Sequence, residues 1–254
     1  MTGSRAVEIR LGAVRRGRVR RPVVEGWSTR LPAPSTCGLV GLNGAGKSSL
    51  MLALAGALRR RAAVADVIRH DADGATARAS LAIAPQAAVL PAGMTLEEIS
   101  ALHGLSAEAL IARYPGLLLH ELAGSRAETL SGGQAQALSV ALALGADADL
   151  TLLDEPLAAL DVRRRRGLLD ALRDRRGSQA AGVVLLSSQV AADLHEACDR
   201  MAVLAGGRMV FDGSTAALTS AGGPTVGGPA GAARLEARLL ALAGGPLEPP
   251  PPQR

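Results

Sequence analysis

A glycine-rich segment with a single lysine constrains this chain more than any other feature. Its residues are Gly41, Leu42, Asn43, Gly44, Ala45, Gly46, Lys47, Ser48 and Ser49, which fit the pattern G-x-x-x-x-G-K-[ST]. An apolar run at 37–42 leads into the segment, and a helical pattern at 47–61 follows it. The sequence therefore predicts a strand, a tight turn and a helix in succession, with N–H groups at the helix start that can surround an anion.

Lys47 is unusual because it is the only lysine among 28 basic residues. Lysine carries a compact charge on a slim stem, whereas arginine ends in a planar fork. A loop wrapped around a triphosphate has room for the first and not for the second. We therefore expect the whole segment to bind phosphate, with Lys47 reaching the β- and γ-phosphates and Ser48 binding Mg²⁺. A glycine turn without a ligand is the alternative interpretation.

A second motif is an apolar run that ends in two acids. The run at 150–153 has the continuous apolar character of a buried parallel strand, and Asp154 and Glu155 follow it directly. Asp154 is expected to anchor Mg²⁺ through water. Glu155 is expected to face the nucleotide and polarise an attacking water. The alternative interpretation is a solvated strand end.

Strand-like and helical patterns alternate along the chain. Strands are predicted at 7–14, 23–27, 37–42, 64–68, 81–84, 150–154, 183–187, 201–205 and 208–211, and helices at 47–61, over most of 96–144, and at 162–175. This alternation predicts an α/β fold with a mostly parallel sheet. The helical block in the middle is too long for a single crossover and is expected to form a subdomain.

A third motif, Leu130-Ser131-Gly132-Gly133-Gln134, predicts a polar turn with Ser131 as the N-cap of a helix and with exposed N–H groups that can bind an anion. With this motif the chain resembles the ATP-binding subunits of ABC transporters, whose signature is Leu-Ser-Gly-Gly-Gln. The resemblance covers about residues 5–215 and includes the motifs in order. It is strongest to subunits that pair with a separate membrane protein in drug, antibiotic or lipid export.

Shorter matches to the same family indicate further site residues. Gln86, after Pro85, resembles the Q-loop glutamine, which contacts Mg²⁺ and the attacking water. Asp161 resembles the D-loop aspartate at the dimer interface, and a role solely as the N-cap of the next helix is the alternative. Gln189 stands where the family has its switch histidine.

The resemblance implies a P-loop NTPase of the RecA-like type. Such an α/β protein has a mostly parallel sheet core, an N-terminal antiparallel β part and an inserted helical subdomain. Residues 1–220 would form the ATP-binding domain, with the helical subdomain at about 87–145. Residues 221–254 read as a Gly/Pro/Ala-rich tail with one possible short helix at Ala232–Ala243.

The resemblance also implies a mechanism that needs two chains. Two such domains stack head to tail and enclose ATP with Mg²⁺ between the Gly41–Ser49 loop of one and Ser131–Gln134 of the other. The implied partners are a membrane-spanning permease and a second ATP-binding domain, identical or different. The sequence has no secretory signal and no apolar run of bilayer length. We therefore expect a cytoplasmic protein held on the inner face of the membrane by its partner.

Gln189 is the main departure from the family. Glutamine can donate a hydrogen bond to a γ-phosphate, but it cannot become cationic or carry a proton. Because Glu155 and Lys47 are kept, we expect hydrolysis that is slow but present, with these three as the catalytic residues. In addition, residues 12–21 contain no aromatic side chain, although the family usually stacks adenine there. These departures leave open a regulatory subunit that binds ATP without appreciable turnover.

Composition bears on the remaining function classes. The net charge is +5, with arginine runs at 15–21, 59–61 and 163–166, but aromatic residues make up only 1% of the chain, which argues against stacking on bases. We expect these runs to be solvated and no nucleic-acid partner. An ABC ATPase acting on DNA or ribosomes is less favoured, since the sequence shows neither a second such domain nor a coiled-coil insertion. Cys37 and Cys198 have no metal-ligand spacing and are expected to be reduced and packed.

Overall fold

Two β-sheets and a group of helices make up the structure, a computed structural model. It describes residues 5–16, 21–59, 62–175, 178, 181–189, 194–195, 197–220, 237 and 241. The strands are β1 (Ala6–Leu11), β2 (Trp27–Pro32), β3 (Ser35–Val40), β4 (Ala65–His70), β5 (Thr76–Arg78), β6 (Leu81–Ala84), β7 (Leu150–Leu153), β8 (Val183–Ser188), β9 (Arg200–Ala205) and β10 (Arg208–Ser214). The helices are α1 (Lys47–Leu54), α2 (Leu96–Leu102), α3 (Ala107–Arg113), α4 (Gly132–Gly145), α5 (Val162–Arg175) and α6 (Thr215–Ser220).

The central sheet has six strands in the order β10-β9-β3-β8-β7-β6. Strands β9, β3, β8, β7 and β6 are parallel, and only the edge strand β10 is antiparallel to its neighbour. Every residue of β3, β7 and β8 is buried, as in parallel strands that are covered on both faces. The predicted mostly parallel α/β core is therefore confirmed.

A second sheet is antiparallel and comes mainly from the N-terminal part of the chain. Its order is β2-β1-β4-β5, with β1 antiparallel to both β2 and β4. One buried cluster contains residues of both sheets and of α1, among them Ile9, Leu31, Leu39 and Leu50. The predicted N-terminal antiparallel part is thus confirmed.

Helices α2 to α4 lie between β6 and β7 in the chain. Three short 3₁₀ helices, Pro115–Leu117, Leu119–Leu122 and Ala127–Thr129, lie between α3 and α4. Their apolar residues share one large cluster with the sheet and α5, so the block packs onto the core instead of standing apart. Its division as a subdomain at about 87–145 stays a prediction.

Two elements differ from the sequence-based prediction because of glycine. The strand predicted at 23–27 is wrong: Val24 makes only an isolated bridge with Val14, and β2 begins after Gly26, whose φ is +131°. The helix predicted to reach residue 61 ends at Leu54, followed by Gly56 with a φ of +71°. A glycine in this left-handed region just past a helix is a common stop signal.

Cys37 and Cys198 are free and buried, and burial raises the pKa of the Cys37 thiol to about 12. In the described part of the chain, no helix has the length and apolar character that crossing a bilayer requires. The tail predicted at 221–254, with its possible helix at Ala232–Ala243, lies outside the described residues apart from Ala237 and Ala241.

Helix α5 meets the 3₁₀ helix Pro115–Leu117 backbone to backbone. A Cβ atom added to Gly167 would lie 2.2 Å from the carbonyl carbon of Gly116, and one added to Gly116 would lie 2.4 Å from Cα of Gly167. The two glycines therefore permit an approach that no other residue allows.

Gly167→Ala is expected to lower the free energy of unfolding by about 1–3 kcal/mol, the usual cost of overpacking a closed contact. At an open helical position the same change would stabilise the chain. Gly12→Ala is the control, because its Cβ would meet Val64 O at an ordinary 3.5 Å. Urea unfolding followed by circular dichroism measures both variants, and an unchanged or higher midpoint for Gly167→Ala contradicts the prediction.

Candidate functional site

The glycine-rich segment forms the connection between β3 and α1. It leaves the sheet after Val40, and α1 begins at Lys47 with Gly46 as its N-cap. Gly44 and Gly46 have φ values of +79° and +109°. These values explain why glycine is needed at both positions.

Close packing around the segment explains a further glycine. A Cβ atom on Gly41 would lie 2.4 Å from the carbonyl oxygen of Leu204, and one on Gly46 would lie 2.8 Å from Val24 Cγ2. No side-chain hydrogen bond caps α1, in contrast to α2, α3 and α4. The N–H groups of its first turn are therefore available to an anion, as the sequence predicts.

Lys47 points back over the segment and is almost fully buried. Its Nζ donates to the carbonyl oxygens of Gly41 at 2.7 Å and Leu42 at 3.4 Å. It also lies 3.2 Å from Glu155 Oε1, and this ion pair is shielded from solvent. The structure thus brings together the lysine of the first motif and the second acid of the second motif.

Ser187 organises the two acids after β7, a role that sequence reasoning missed. Its hydroxyl donates to Asp154 Oδ1 at 2.7 Å and accepts from the backbone N–H of Glu155 at 2.8 Å. Glu155 has a φ of +48°, a region that non-glycine residues rarely adopt. The available signal was a polar residue at the end of the apolar strand β8. The alternative of a solvated strand end is wrong, since Asp154 and Glu155 are both buried.

Gln189 lies just beyond β8 and contacts the same carboxylate. Its Nε2 donates to Glu155 Oε1 at 3.1 Å and to Oε2 at 3.0 Å. The glutamine side chain can therefore orient Glu155, but the amide offers no proton that it can give up.

A cleft of about 290 Å³ opens at this edge of the sheet. It is lined by Arg16, Val23, Asn43, Gly44, Ala45, Gly46, Lys47, Ser48, Ser49, Gln86, Glu155 and Gln189. The cleft gathers most residues predicted from the first two motifs, together with Gln86 and Gln189. Sequence reasoning did not place Val23 there. A larger cavity of about 690 Å³, next to the C-terminal end of α1 and strands β4 and β5, contains none of the predicted site residues.

The residues predicted to bind Mg²⁺ have suitable chemistry. Ser48, Gln86 and Asp154 offer hydroxyl, amide and carboxylate oxygens, and Mg²⁺ prefers oxygen ligands. Among the described residues no group of three or more His, Cys, Asp or Glu side chains could hold a metal ion by itself. Mg²⁺ in proteins is commonly held by one or two carboxylates together with phosphate oxygens. Ser48 and Gln86 line the cleft, whereas Asp154 is buried next to Glu155 and does not line it, so the set fits a nucleotide-bound ion in its chemistry.

The Ser131–Gln134 turn lies outside this cleft. Ser131 caps α4: its Oγ accepts from the Gln134 N–H at 3.3 Å, and Gln134 Oε1 accepts from the Ser131 N–H at 2.9 Å. The predicted N-cap is confirmed. Gly132 and Gly133 follow in the exposed first turn, and a Cβ on Gly133 would lie 2.8 Å from the carbonyl oxygen of Ala159.

Asp161 also lies away from the cleft and caps α5. Its Oδ1 accepts from the Arg164 N–H at 2.9 Å, and its Oδ2 from Arg164 Nη1 at 2.5 Å. These two bonds, of which the one from the backbone N–H has the larger effect, hold the pKa of the Asp161 carboxyl below its usual range. The N-cap role is therefore present. Arg164 itself is buried, which corrects the expectation that the whole arginine run at 163–166 is solvated.

One further contact connects α4 to the cleft. Gln136 is fully buried, and its Nε2 donates to the carbonyl oxygen of Pro85 at 3.1 Å. Pro85 directly precedes Gln86, which lines the cleft. The helix that begins at the Ser131 turn is thus hydrogen-bonded to the segment that carries Gln86.

Sequence comparison places the chain among known proteins. The family described as ABC transporter matches residues 24–158. The daunorubicin/doxorubicin resistance ATP-binding protein DrrA of Streptomyces peucetius is 32% identical over 80% of this chain and 64% of that protein. The Nod factor export ATP-binding protein I of Rhizobium meliloti is 31% identical over 82% of this chain and 64% of that protein. The chain thus spans slightly less than two thirds of the length of these two relatives.

An importer protein matches over a shorter stretch. The phosphonates import ATP-binding protein PhnC of Rhodopseudomonas palustris (strain BisB5) is 44% identical over 39% of this chain and 36% of that protein. Importers and exporters are therefore both among the relatives.

Solved structures share the fold. A structure described as the ATP binding subunit of an ABC transporter has a TM-score of 0.67 at 25% identity, over 83% of this chain and 91% of that chain. A bacterial Atm1-family ABC exporter with ATP bound has a TM-score of 0.69 at 23% identity, over 94% of this chain and 43% of that chain. The predicted fold class is confirmed.

Ser187→Ala is expected to lower the free energy of unfolding by about 1–3 kcal/mol, because it leaves a buried carboxylate oxygen and a buried N–H without this hydrogen bond. Ser35→Ala is the matched control. Ser35 is also buried, and its hydroxyl has no hydrogen-bond partner among the described residues, so its loss should cost little. Chemical unfolding of both variants checks this, and equal effects would contradict the role given to Ser187.

Proposed function

This chain belongs to the ABC transporter family, and on that premise we propose that it binds and hydrolyses ATP to power a separate membrane-spanning partner. We propose export as the direction. The exporters named above align over about four fifths of this chain, whereas the importer aligns over 39%. These relatives are longer than this chain, so the activities of the full-length relatives are assigned to this chain only as a proposal.

The observation that carries the proposal is the contact between Lys47 and Glu155. The two side chains meet in the cleft beside an α1 terminus that no side chain caps. The lysine and the helix terminus together favour a polyphosphate. A carboxylate beside them is placed to accept a proton from an attacking water.

The residue roles follow from these positions. Residues 41–49 hold the phosphates, and Lys47 Nζ exchanges Glu155 for the β- and γ-phosphate oxygens. Its Nζ contacts two carbonyl oxygens of the same loop and Glu155, and the Glu155 contact is the one that we propose ligand binding replaces. Glu155, once released, orients and deprotonates the water.

Ser48, Gln86 and Asp154 are proposed to hold Mg²⁺. When bound, this ion neutralises charge on the phosphate oxygens. Ser187 keeps the Asp154 carboxylate in place through the hydrogen bond described above.

A second ATP-binding domain, identical or different, completes the site. Ser131–Gln134 and Asp161 do not line the cleft of their own chain. Ser131–Gln134, whose side chains cap α4, and the exposed Asp161 are therefore proposed to contact a nucleotide bound by the partner. We propose that residues 1–220 form the domain that dimerises and that this domain includes the helical subdomain at about 87–145. The tail at 221–254 lies outside the domain. Docking to the membrane-spanning partner places it on the inner face of the membrane.

Gln189 is proposed to make hydrolysis slow. Its two hydrogen bonds hold the Glu155 carboxylate, yet the amide cannot become cationic beside a developing negative charge. The same observation favours the second candidate function, a regulatory ATP-binding subunit in which nucleotide gates the partner with little turnover.

Glu155→Gln separates the two candidates. For an ATPase, turnover should fall by about 10²–10⁴-fold, the usual contribution of a general base, while ATP binding persists. Phosphate release and ATP binding are measured on the full chain. Glu97→Gln, an exposed carboxylate on α2, is the matched control, and Lys47→Arg is the reference that should lose binding. Turnover that is the same in the wild type and in Glu155→Gln would favour the regulatory subunit.

Gln189→His is expected to raise turnover roughly tenfold, which is less than the 10²–10³-fold that one preorganised donor can contribute. The gain should disappear in a Glu155→Gln background, because the imidazole acts together with that carboxylate. Steady-state phosphate release in the assembled complex is the measurement. An unchanged or lower rate shows that Gln189 does not limit hydrolysis.

A further inference from the structure

Arg164 is a buried arginine in a run of otherwise more exposed ones. Its side chain is 9% exposed, whereas that of Arg166 on the same helix is 72% exposed. A buried guanidinium costs desolvation energy, and an apolar side chain of similar size is often at least as stabilising. Stability alone therefore does not account for an arginine at this position.

The guanidinium connects two separate parts of the chain. Nη1 binds Asp161 in the connection after β7, and Nη2 binds Glu121 Oε2 in the 3₁₀ helix Leu119–Leu122. The backbone N–H of Arg164 takes the other Asp161 oxygen. Arg164 Nε is buried without a hydrogen-bond partner among the described residues, so the side chain gives up one bond to make these two.

The connection that Arg164 holds also contacts the Ser131–Gln134 turn. The Ala159 carbonyl is so close to Gly133 that a Cβ atom there would lie 2.8 Å from it. Leu157 and Leu160, on either side of Ala159, are buried in the main cluster. One turn after Arg164, the contact between Gly116 and Gly167 fixes α5 against the neighbouring 3₁₀ helix.

We propose that Arg164 is a positioning residue that fixes residues 158–161 against Gly133, so that Asp161 and the Ser131–Gln134 turn form one rigid surface for a second ATP-binding domain. This inference rests on the proposed function, because it needs a nucleotide shared between two domains. Arg164 acts through Asp161 and Ala159 and does not line the cleft of its own chain. Glu121 ties the same surface to the helical block, so the two move together.

Arg164→Met tests this in the full chain, with Arg166→Met as the matched control, because Arg166 is an exposed arginine of α5 paired with Asp170. The dissociation constant for ATP and the binding stoichiometry are measured first. Turnover per ATP-binding protomer is then measured against protein concentration. Arg164→Met should keep the ATP affinity of the control and lose about 10- to 100-fold in turnover, as misplaced groups remote from the chemistry do. It should also need a higher protein concentration for half-maximal rate.

Two further variants test the contact itself. Arg164→Lys keeps a charge and one bond and should recover part of the turnover. Glu121→Gln should lower turnover by a smaller factor than Arg164→Met. The double variant should be no slower than Arg164→Met alone, as expected for coupled partners. Additive losses in the double variant would overturn the proposed link.

The outcomes separate this inference from the proposed function. If the wild type binds and turns over ATP and Arg164→Met matches Arg166→Met per ATP-binding protomer, the inference alone fails. A loss of ATP affinity as large as the loss of turnover also overturns it, since Arg164 would then act on its own cleft. If Lys47→Arg is as active as the wild type, the proposed function fails and the inference fails with it.

Discussion

The ion pair between Lys47 and Glu155 is the contact on which the arrangement of the cleft depends. Each charge is almost fully buried, and a buried charge without a partner is costly. The ends of β3 and β7 must therefore meet at one edge of the sheet. Strand β8 lies between them and runs parallel to both, which brings all three carboxyl ends to that edge.

Strand β8 contributes more than spacing. Ser187, near its end, accepts from the backbone N–H of Glu155 and donates to Asp154, and Gln189, just after it, holds the Glu155 carboxylate. The uncommon φ of Glu155 is thus accompanied by hydrogen bonds at both its backbone and its side chain. Asp154 and Glu155 follow β7, but hydrogen bonds from residues at the end of β8 fix their positions.

The same chain presents a second polar surface away from the cleft. Ser131 and Asp161 begin α4 and α5, and the contact between Gly133 and Ala159 joins the two helix starts. Buried Arg164 ties this surface to the 3₁₀ helix that carries Glu121. One surface is thus built around a helix start that no side chain caps, and the other around two helix starts whose caps are satisfied within the chain.

Elements with local signals could be predicted from the sequence alone. Continuous apolar runs gave β6 and β7, the helical pattern gave α5 with its observed ends, and the two acids after β7 were placed correctly at its tip. The predictions failed at the end of α1 and at 23–27, because an apolar pattern does not reveal a glycine with a positive φ. Gly56 and Gly26 have such φ values. The roles of Ser187 and Arg164, in contrast, depend on tertiary contacts. The partners of Ser187 lie 32 or more residues away in the chain, and Glu121, a partner of Arg164, lies 43 residues away. Contacts between residues so far apart depend on sheet order and helix packing.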